Sequence, residues 1–185
     1  MILPIYAYGQ PVLKKTCTPI GSDYEGIESL IGDMWDTMYN ANGVGLAAPQ
    51  IGKGIRLFVI DTKQLEKDEK DLVGIKSVFI NAEVISEEGE EESYEEGCLS
   101  IPDVRGDVKR KPNITIRYMD ENFETKEESF SSFNARVIQH EYDHIQGKLF
   151  TEMLMPLRKR RVKRRLESIK KGMITAEYRM RFAVK

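Results

Sequence analysis

Hydrophobic residues recur at the period of an α-helix in three parts of the chain. The first stripe, at positions i, i+3, i+4, i+7 and i+11, consists of Ile27, Leu30, Ile31, Met34 and Met38. Because these spacings place the side chains on one face, they predict a helix. Ser22 or Asp23 is expected to cap its N-terminus, and the turn signal Asn42-Gly43 is expected to end it.

Two further helices are predicted towards the C-terminus. The second extends from about Phe133 to Gln146, between a cap at Ser131 or Ser132 and an exit at Gly147, and its apolar residues are Val137, Ile138, Tyr142 and Ile145. The third extends from Pro156 to about Lys171, and its apolar residues are Leu157, Val162, Leu166 and Ile169.

Between these helices, branched and aromatic residues predict strands at 55–61, 77–85 and 113–120. The charged connector 64–71 is typical of a solvated loop. Residues 87–96 contain seven Glu, too much like charge for a buried element before Gly97. Because regular helical crossovers are missing, we expect an α+β fold with mostly antiparallel sheets around a central helix, plus a C-terminal helix.

Length and composition narrow the class of protein. A chain of 185 residues, 41% of them hydrophobic, is long enough to form one hydrophobic core and short for two full domains. We therefore expect a single catalytic domain over residues 1–185. There is no apolar run of about 18 residues, and the start of the chain reaches Pro4 and Pro11 without a basic region or a small-residue cleavage site. Two cysteines are too few for a disulfide framework. These features predict a soluble, cytoplasmic protein without membrane contact.

The candidate chemistry lies on the second helix, in the segment QHEYDH at 139–144. His140 and His144 are four residues apart, so their ring nitrogens can converge on one metal ion. Glu141 lies beside them and suits a general acid and base. The alternative is a surface helix with two stray histidines, but these are the only histidines in the chain, which favours the metal site.

A catalytic ion of this kind needs a third protein ligand and an open position. The candidates are a carboxylate farther along the chain or Cys98. We favour Cys98 because Gly97 precedes it in a self-repelling acidic segment whose charge a cation would offset. The alternative for Cys98 is a small buried hydrophobe, which is how we interpret Cys17.

Three segments together resemble the peptide deformylases: GVGLAAPQ at 43–50, EGCLS at 96–100 and QHEYDH at 139–144. The resemblance covers about residues 1–165. It implies an enzyme that hydrolyses the N-formyl group from the initiator formyl-methionine of nascent polypeptides and releases formate. An H-E-x-x-H segment also occurs in zinc peptidases, but a cysteine within EGCLS upstream of it is not their pattern.

The resemblance implies a role for each matched residue. One divalent metal ion is expected, natively ferrous iron, although zinc, nickel or cobalt also suits the ligand set. Glu141 is implied as the acid and base, and the Gln50 side chain and the Leu99 N–H as donors to the developing oxyanion. The implied metal ligands are Cys98, His140 and His144.

The family also binds the methionine side chain in an apolar pocket and pairs the substrate backbone with a strand edge. The implied substrate contacts are Gly43, Val44, Gly45, Tyr94, Glu96, Gly97, Arg105, Phe133 and Val137. The two glycines are expected either to adopt positive φ or to allow close approach of a substrate. Arg136, on the same helix as His140, interrupts the apolar face and is expected to point outward or to cover apolar surface with its stem.

The C-terminal part of the chain is strongly basic. Residues 156–185 contain 12 Lys+Arg against 2 Asp+Glu, whereas residues 1–155 contain 16 against 28. Arg158–Arg165 holds seven positive charges in eight positions, which suits phosphate contact without base readout. With the resemblance, this favours contact with ribosomal RNA over a merely solvated helix face. An inactive ribosome-binding protein would need a structural metal site with four protein ligands, and the sequence offers three.

Overall fold

The computed structural model describes residues 1–67 and 71–184. Within them, the helices are α1 (Ile27–Asn40), α2 (Ser132–Ile145) and α3 (Pro156–Lys170). The strands are β1 (Ile5–Tyr6), β2 (Gly45–Ala47), β3 (Leu57–Asp61), β4 (Lys76–Glu88), β5 (Glu92–Cys98), β6 (Ile101–Arg110), β7 (Asn113–Met119), β8 (Thr125–Ser131) and β9 (Met180–Arg181). None of the helices in these ranges has the length and apolar character needed to cross a membrane.

The main sheet of the described residues contains five antiparallel strands in the order β2-β3-β4-β7-β8. Strand β3 is buried along its whole length, as its branched and aromatic composition predicts. Strands β5 and β6 form a separate antiparallel hairpin, and β1 pairs with β9 in parallel. The predicted α+β fold with mostly antiparallel sheets is confirmed.

Helix α2 packs against one face of this sheet. Its Val137, Ile138 and Ile145 share a core cluster with Phe58 and Phe79, whose stacked rings have centroids 4.8 Å apart. Burial of side chains of this size contributes about 1.5–3 kcal/mol each. The packing holds the helix firmly and leaves its other side facing the β5–β6 hairpin.

The observed ends of α1 and α2 can be compared with the predicted capping residues. Helix α1 begins at Ile27 after Gly26, which adopts a left-handed φ of 74°, so the prediction of a Ser22 or Asp23 cap was wrong. Helix α2 begins after Ser131 and is followed by Gly147 at φ 73°, as predicted. A glycine tolerates this conformation without a steric penalty, so it ends the helix there.

The C-terminal helix α3 has the predicted bounds but a narrower apolar side. Val162 and Ile169 are buried in a cluster with residues of β6. Leu157, predicted on the same side, is 61% exposed, so that prediction was wrong. The reason is that Leu157 lies five residues before Val162, which places it about 140° around the helix from that buried residue.

The acidic segment forms strand β5, which was not predicted. Glu92 lies opposite Arg110 across the hairpin, and ion pairs join Arg110 to Glu96 and Arg105 to Glu95, so positive charges on β6 offset the repulsion among the glutamates. The expectation that this segment is unburied before Gly97 was wrong at Glu96, which is 5% exposed. In the connector 64–71, Lys63–Leu65 forms a short 3-10 turn, and positions 68–70 lie outside the described residues.

Candidate metal centre

Helix α2 and the end of β5 bring the three predicted ligands together. One ligand atom each from Cys98, His140 and His144 lies within 4.8 Å of the others. The Cys98 Sγ is 3.3 Å from the His144 Nε2. The histidines converge because they are one helical turn apart. Cys98 reaches them because the pairing of β5 with β6 shifts register between Gly97 and Cys98.

The chemistry of this cluster fits a metal ion. In the described part of the chain, the buried His144 Nδ1 and Glu141 Oε2 have no hydrogen-bond partner. Burial, together with the nearby charge of His140, holds the pKa of His144 well below its usual value. His144 is therefore a neutral imidazole, the form that binds metals. Two imidazoles and one thiolate are a ligand set for a divalent ion with an open position.

Glu96 fixes the orientation of His140. The His140 Nδ1–H donates to the Glu96 Oε2 at 2.9 Å, which leaves the Nε2 for an ion. Arg110 donates to both Glu96 oxygens at 2.7 and 3.0 Å, and to Asp143 at 2.8 Å. Burial raises the pKa of Glu96, but the hydrogen bonds from His140 and Arg110 outweigh it and lower the pKa to about 2. The Glu96 carboxylate, which was predicted to contact the substrate, therefore accepts hydrogen bonds from Arg110 and His140 instead.

Arg136 joins the same network. Its guanidinium donates to the Glu96 Oε1 at 3.2 Å, to the Val108 carbonyl at 2.8 Å and to the Glu92 carbonyl at 2.7 Å. The residue is 8% exposed, so the expectation that it points outward or reaches water was wrong. The sequence held no signal for this, because the partners come from a hairpin that was not predicted. Arg136 therefore ties α2 to the strands that carry Cys98.

The candidate acid and base, Glu141, is enclosed by the glycine-rich segment. Burial raises its pKa to about 7, so the carboxyl gains and loses a proton near neutral pH. A Cβ on Gly45 would lie 2.5 Å from the Glu141 Oε1, and one on Gly43 would lie 2.7 Å from the Leu99 Cδ1. Neither glycine has positive φ. Close approach to Glu141, rather than turn geometry, therefore disfavours a side chain at Gly45, whereas the atom nearest to Gly43 is the end of the flexible Leu99 side chain.

Gln50 lies in a 3-10 turn directly after β2 and is almost completely buried. Its Oε1 accepts the Ala47 N–H at 2.8 Å, which fixes the amide. Its Nε2 donates to the Cys98 Sγ at 3.4 Å and to the Ser100 Oγ at 3.3 Å. The side-chain amide therefore points at Cys98 in the cluster of candidate ligands.

A cavity of about 750 Å³ opens beside the cluster. The aromatic rings of Tyr94 and Phe133 meet edge to face with centroids 6.0 Å apart. Arg105 is exposed and pairs with Glu95 at 3.2 Å. Thr175–Tyr178, for which the sequence indicated no role, also line the cavity. The predicted positions that line it are Gly43, Val44, Gly45, Gln50, Tyr94, Glu96, Gly97, Cys98, Leu99, Arg105, Phe133, Val137, His140 and Glu141.

An α+β fold with a Cys-His-His cluster beside a buried carboxyl group fits a metal-dependent hydrolase. The family model for polypeptide deformylase matches residues 2–160. The chain therefore belongs to the polypeptide deformylase family. It is a metal-dependent enzyme that removes the N-formyl group from nascent polypeptides and releases formate.

Relatives support the assignment over almost the whole chain. The peptide deformylase of Christiangramia forsetii is 56% identical, over 98% of this chain and 96% of the relative. That of Flavobacterium johnsoniae is 55% identical, over 99% and 97%. The crystal structure of the peptide deformylase from Thermus thermophilus aligns with a TM-score of 0.82 and 38% identity, covering 93% of this chain and 99% of that chain.

Proposed function

We propose that Cys98, His140 and His144 hold a single divalent ion, ferrous iron in the native protein, and that the surrounding residues perform deformylation. The observation that carries this proposal is the convergence of the three ligand atoms within 4.8 Å beside the Glu141 carboxyl group. When bound, such an ion supplies a Lewis acid that polarises the formyl carbonyl and promotes loss of a proton from water.

Glu141 moves the proton in this scheme. A carboxyl group with a pKa near 7 accepts a proton from the attacking water and delivers it to the amine nitrogen as the C–N bond breaks. Formate and a free amino terminus are the products. The Glu141 Oε2 supports this role because it has no hydrogen-bond partner among the residues described.

Gln50 and the Leu99 N–H stabilise the oxyanion that forms as the carbonyl is attacked. The Gln50 amide is held by the Ala47 N–H, so its dipole needs no reorganisation as charge develops. Its 3.4 Å contact with the Cys98 Sγ supports a place beside the reacting carbonyl. Gln50→Ala is expected to lower kcat about 100- to 1000-fold, the usual cost of removing one such donor.

The cleft divides into an apolar part and a strand edge. Val44, Tyr94, Phe133 and Val137 supply apolar surface for the methionine side chain. Within the described ranges, β5 pairs with β6 alone, so its other edge is available to the substrate backbone near Gly97.

The decisive experiment follows formate release from formyl-Met-Ala and internal cleavage of an unformylated peptide, with anaerobic protein loaded with ferrous iron. Glu141→Gln is expected to lower kcat on the order of 100-fold or more while one ion per chain is retained. The exposed Glu127→Gln is the matched control. Wild-type activity in Glu141→Gln would refute its role, and internal cleavage would indicate a peptidase. Iron in protein purified anaerobically tests the identity of the native ion against zinc, nickel and cobalt.

We also propose that the basic side of α3 contacts ribosomal RNA in the cytoplasm. The positive side chains from Arg158 to Arg164 are exposed, while Val162 and Ile169 hold the helix to the core. This packing, with the β1–β9 pairing, supports one catalytic domain over residues 1–185. It also means that truncation at Pro156 would remove part of the core.

Charge reversal tests ribosome binding without damage to the core. The triple variant Arg160→Glu, Lys163→Glu, Arg164→Glu is expected to lose co-sedimentation with ribosomes, because phosphate contacts depend on these charges. The control carries the same change of charge at exposed Lys15, Lys53 and Lys148. Equal co-sedimentation of both variants and the wild type would exclude α3 as the contact. Formate release by both would separate the enzyme from an inactive ribosome-binding protein.

A further inference from the structure

The segment that follows α3 returns to the cleft. Gly172 adopts a left-handed φ of 66°, which reverses the chain after the helix. Thr175–Tyr178 then line the same cavity as Leu99 and Glu141. The proposed reaction assigns no part to these four residues.

Strand pairing holds this segment in place. The Ile5 N–H donates to the Arg179 carbonyl and the Ala7 N–H to the Arg181 carbonyl, each at 2.9 Å. The Gln10 Nε2 donates to the Phe182 carbonyl at 2.7 Å. The chain is therefore anchored directly after the residues that line the cleft, and Gly172 fixes its direction before them.

Tyr178 connects the segment to the oxyanion donor. Its hydroxyl donates to the Leu99 carbonyl at 2.7 Å. The next carbonyl, of Ser100, accepts the Tyr8 N–H at 2.8 Å, and the Ser100 hydroxyl accepts from Gln50. Residues 99 and 100 are thus held by three partners, two at their backbone carbonyls and one at the Ser100 side chain. Only the φ and ψ angles of Leu99 separate its carbonyl from its N–H, because the peptide units on either side are planar, so holding the carbonyl limits the directions that the N–H can take.

We infer that Thr175–Tyr178 forms a wall of the substrate cleft and that Tyr178 is a positioning residue for the Leu99 N–H. The inference rests on the proposed function, in which this N–H donates to the oxyanion. A substrate would contact the wall with the residues that follow its methionine, since Thr175 and Glu177 are exposed at the rim.

Tyr178→Phe removes the hydroxyl and keeps the ring, so it tests the positioning role. We expect kcat for formyl-Met-Ala to fall about 10-fold, less than the loss of a donor itself, with KM nearly unchanged. In the same variant, the Leu99 amide signal of ¹⁵N-leucine-labelled protein should shift and its hydrogen exchange should accelerate. Tyr24→Phe is the control, because its ring packs against the core and does not line the cavity.

The outcomes separate this inference from the proposed function. If Glu141→Gln and Gln50→Ala lower kcat while Tyr178→Phe matches the wild type in kcat and in the Leu99 signal, the positioning role alone is refuted. If Glu141→Gln and Gln50→Ala both match the wild type, the proposed function fails regardless of Tyr178. A shifted Leu99 signal with unchanged kcat would also overturn the positioning role.

Ala176→Trp tests the wall. A bulky ring at this position should raise KM for a formylated tetrapeptide about 10-fold, equivalent to about 1.4 kcal/mol of lost binding, with kcat unchanged. Ala183→Trp is the matched control, because Ala183 lies on the same segment but does not line the cavity. Equal KM values for the two variants would show that the segment does not contact the substrate.

Discussion

Replacing Gly45 by alanine tests how precisely Glu141 must be placed. The new Cβ would lie 2.5 Å from the Glu141 Oε1 and 2.8 Å from its Cγ and Cδ, whereas ordinary contact begins at 3.4 Å. The carboxyl group must therefore move by about 0.6–0.9 Å. Because a misplacement of about 1 Å at a reacting group costs on the order of 100-fold in rate, we expect kcat to fall by about that factor.

The assay is formate release from formyl-Met-Ala, together with metal content and the midpoint of urea unfolding. The metal content should stay at one ion per chain, because the three atoms nearest to the added methyl group all belong to Glu141 and none to a ligand. Gly32→Ala is the control: its Cβ would meet nothing within 4 Å, and alanine within α1 should add about 0.5–1 kcal/mol of stability without changing kcat. A Gly45→Ala enzyme with wild-type kcat would refute the reasoning.

Three further predictions concern buried groups. Burial raises the pKa of Cys17 from the ordinary value of 9.0 to about 11. Because the thiolate is the reactive form, labelling of Cys17 by maleimide at pH 8 should be about 100-fold slower in folded than in urea-unfolded protein, and equal rates by mass spectrometry would contradict this. Arg136→Met should lower the free energy of unfolding by about 2–3 kcal/mol, because buried acceptors lose their donor. The control Arg105→Met, at an exposed residue, should change it by less than about 0.5 kcal/mol. Similar urea midpoints for the two variants would be evidence against the network. Glu96→Gln should weaken metal binding about 10- to 100-fold in chelator competition, and Glu95→Gln should not; no difference between the two would show that Glu96 does not support the ligand.

The helices were predictable because each buries one side along its length. Burial on one side leaves a helical period in the sequence, and the capping and turn residues Ser131, Gly147 and Pro156 indicated the bounds of α2 and α3. Strands β5, β6 and β8 carry many exposed charged residues and few consecutive hydrophobic ones, so their composition did not predict strands. Their stability comes from cross-strand partners that are distant in sequence.

The same difference between local and distant information applies to the site. The spacing of His140 and His144 is local, and Cys98 followed from its setting and from the family resemblance. The network of Glu96, Arg110 and Arg136 joins residues up to 40 positions apart, so nothing near any one of them indicates the others.

The pairing of Ile5 with Met180 also bears on folding kinetics. It closes a loop of about 175 residues with strands of two residues each. A contact of such high sequence separation incurs a large loop-closure entropy, so it forms late in folding and reopens by fluctuations smaller than global unfolding. Amide exchange at Ala7 should accordingly be faster than exchange at the buried strand β3. Since the cleft wall depends on this pairing, warming should lower kcat several degrees below the global unfolding transition, by about the 10-fold expected for Tyr178→Phe.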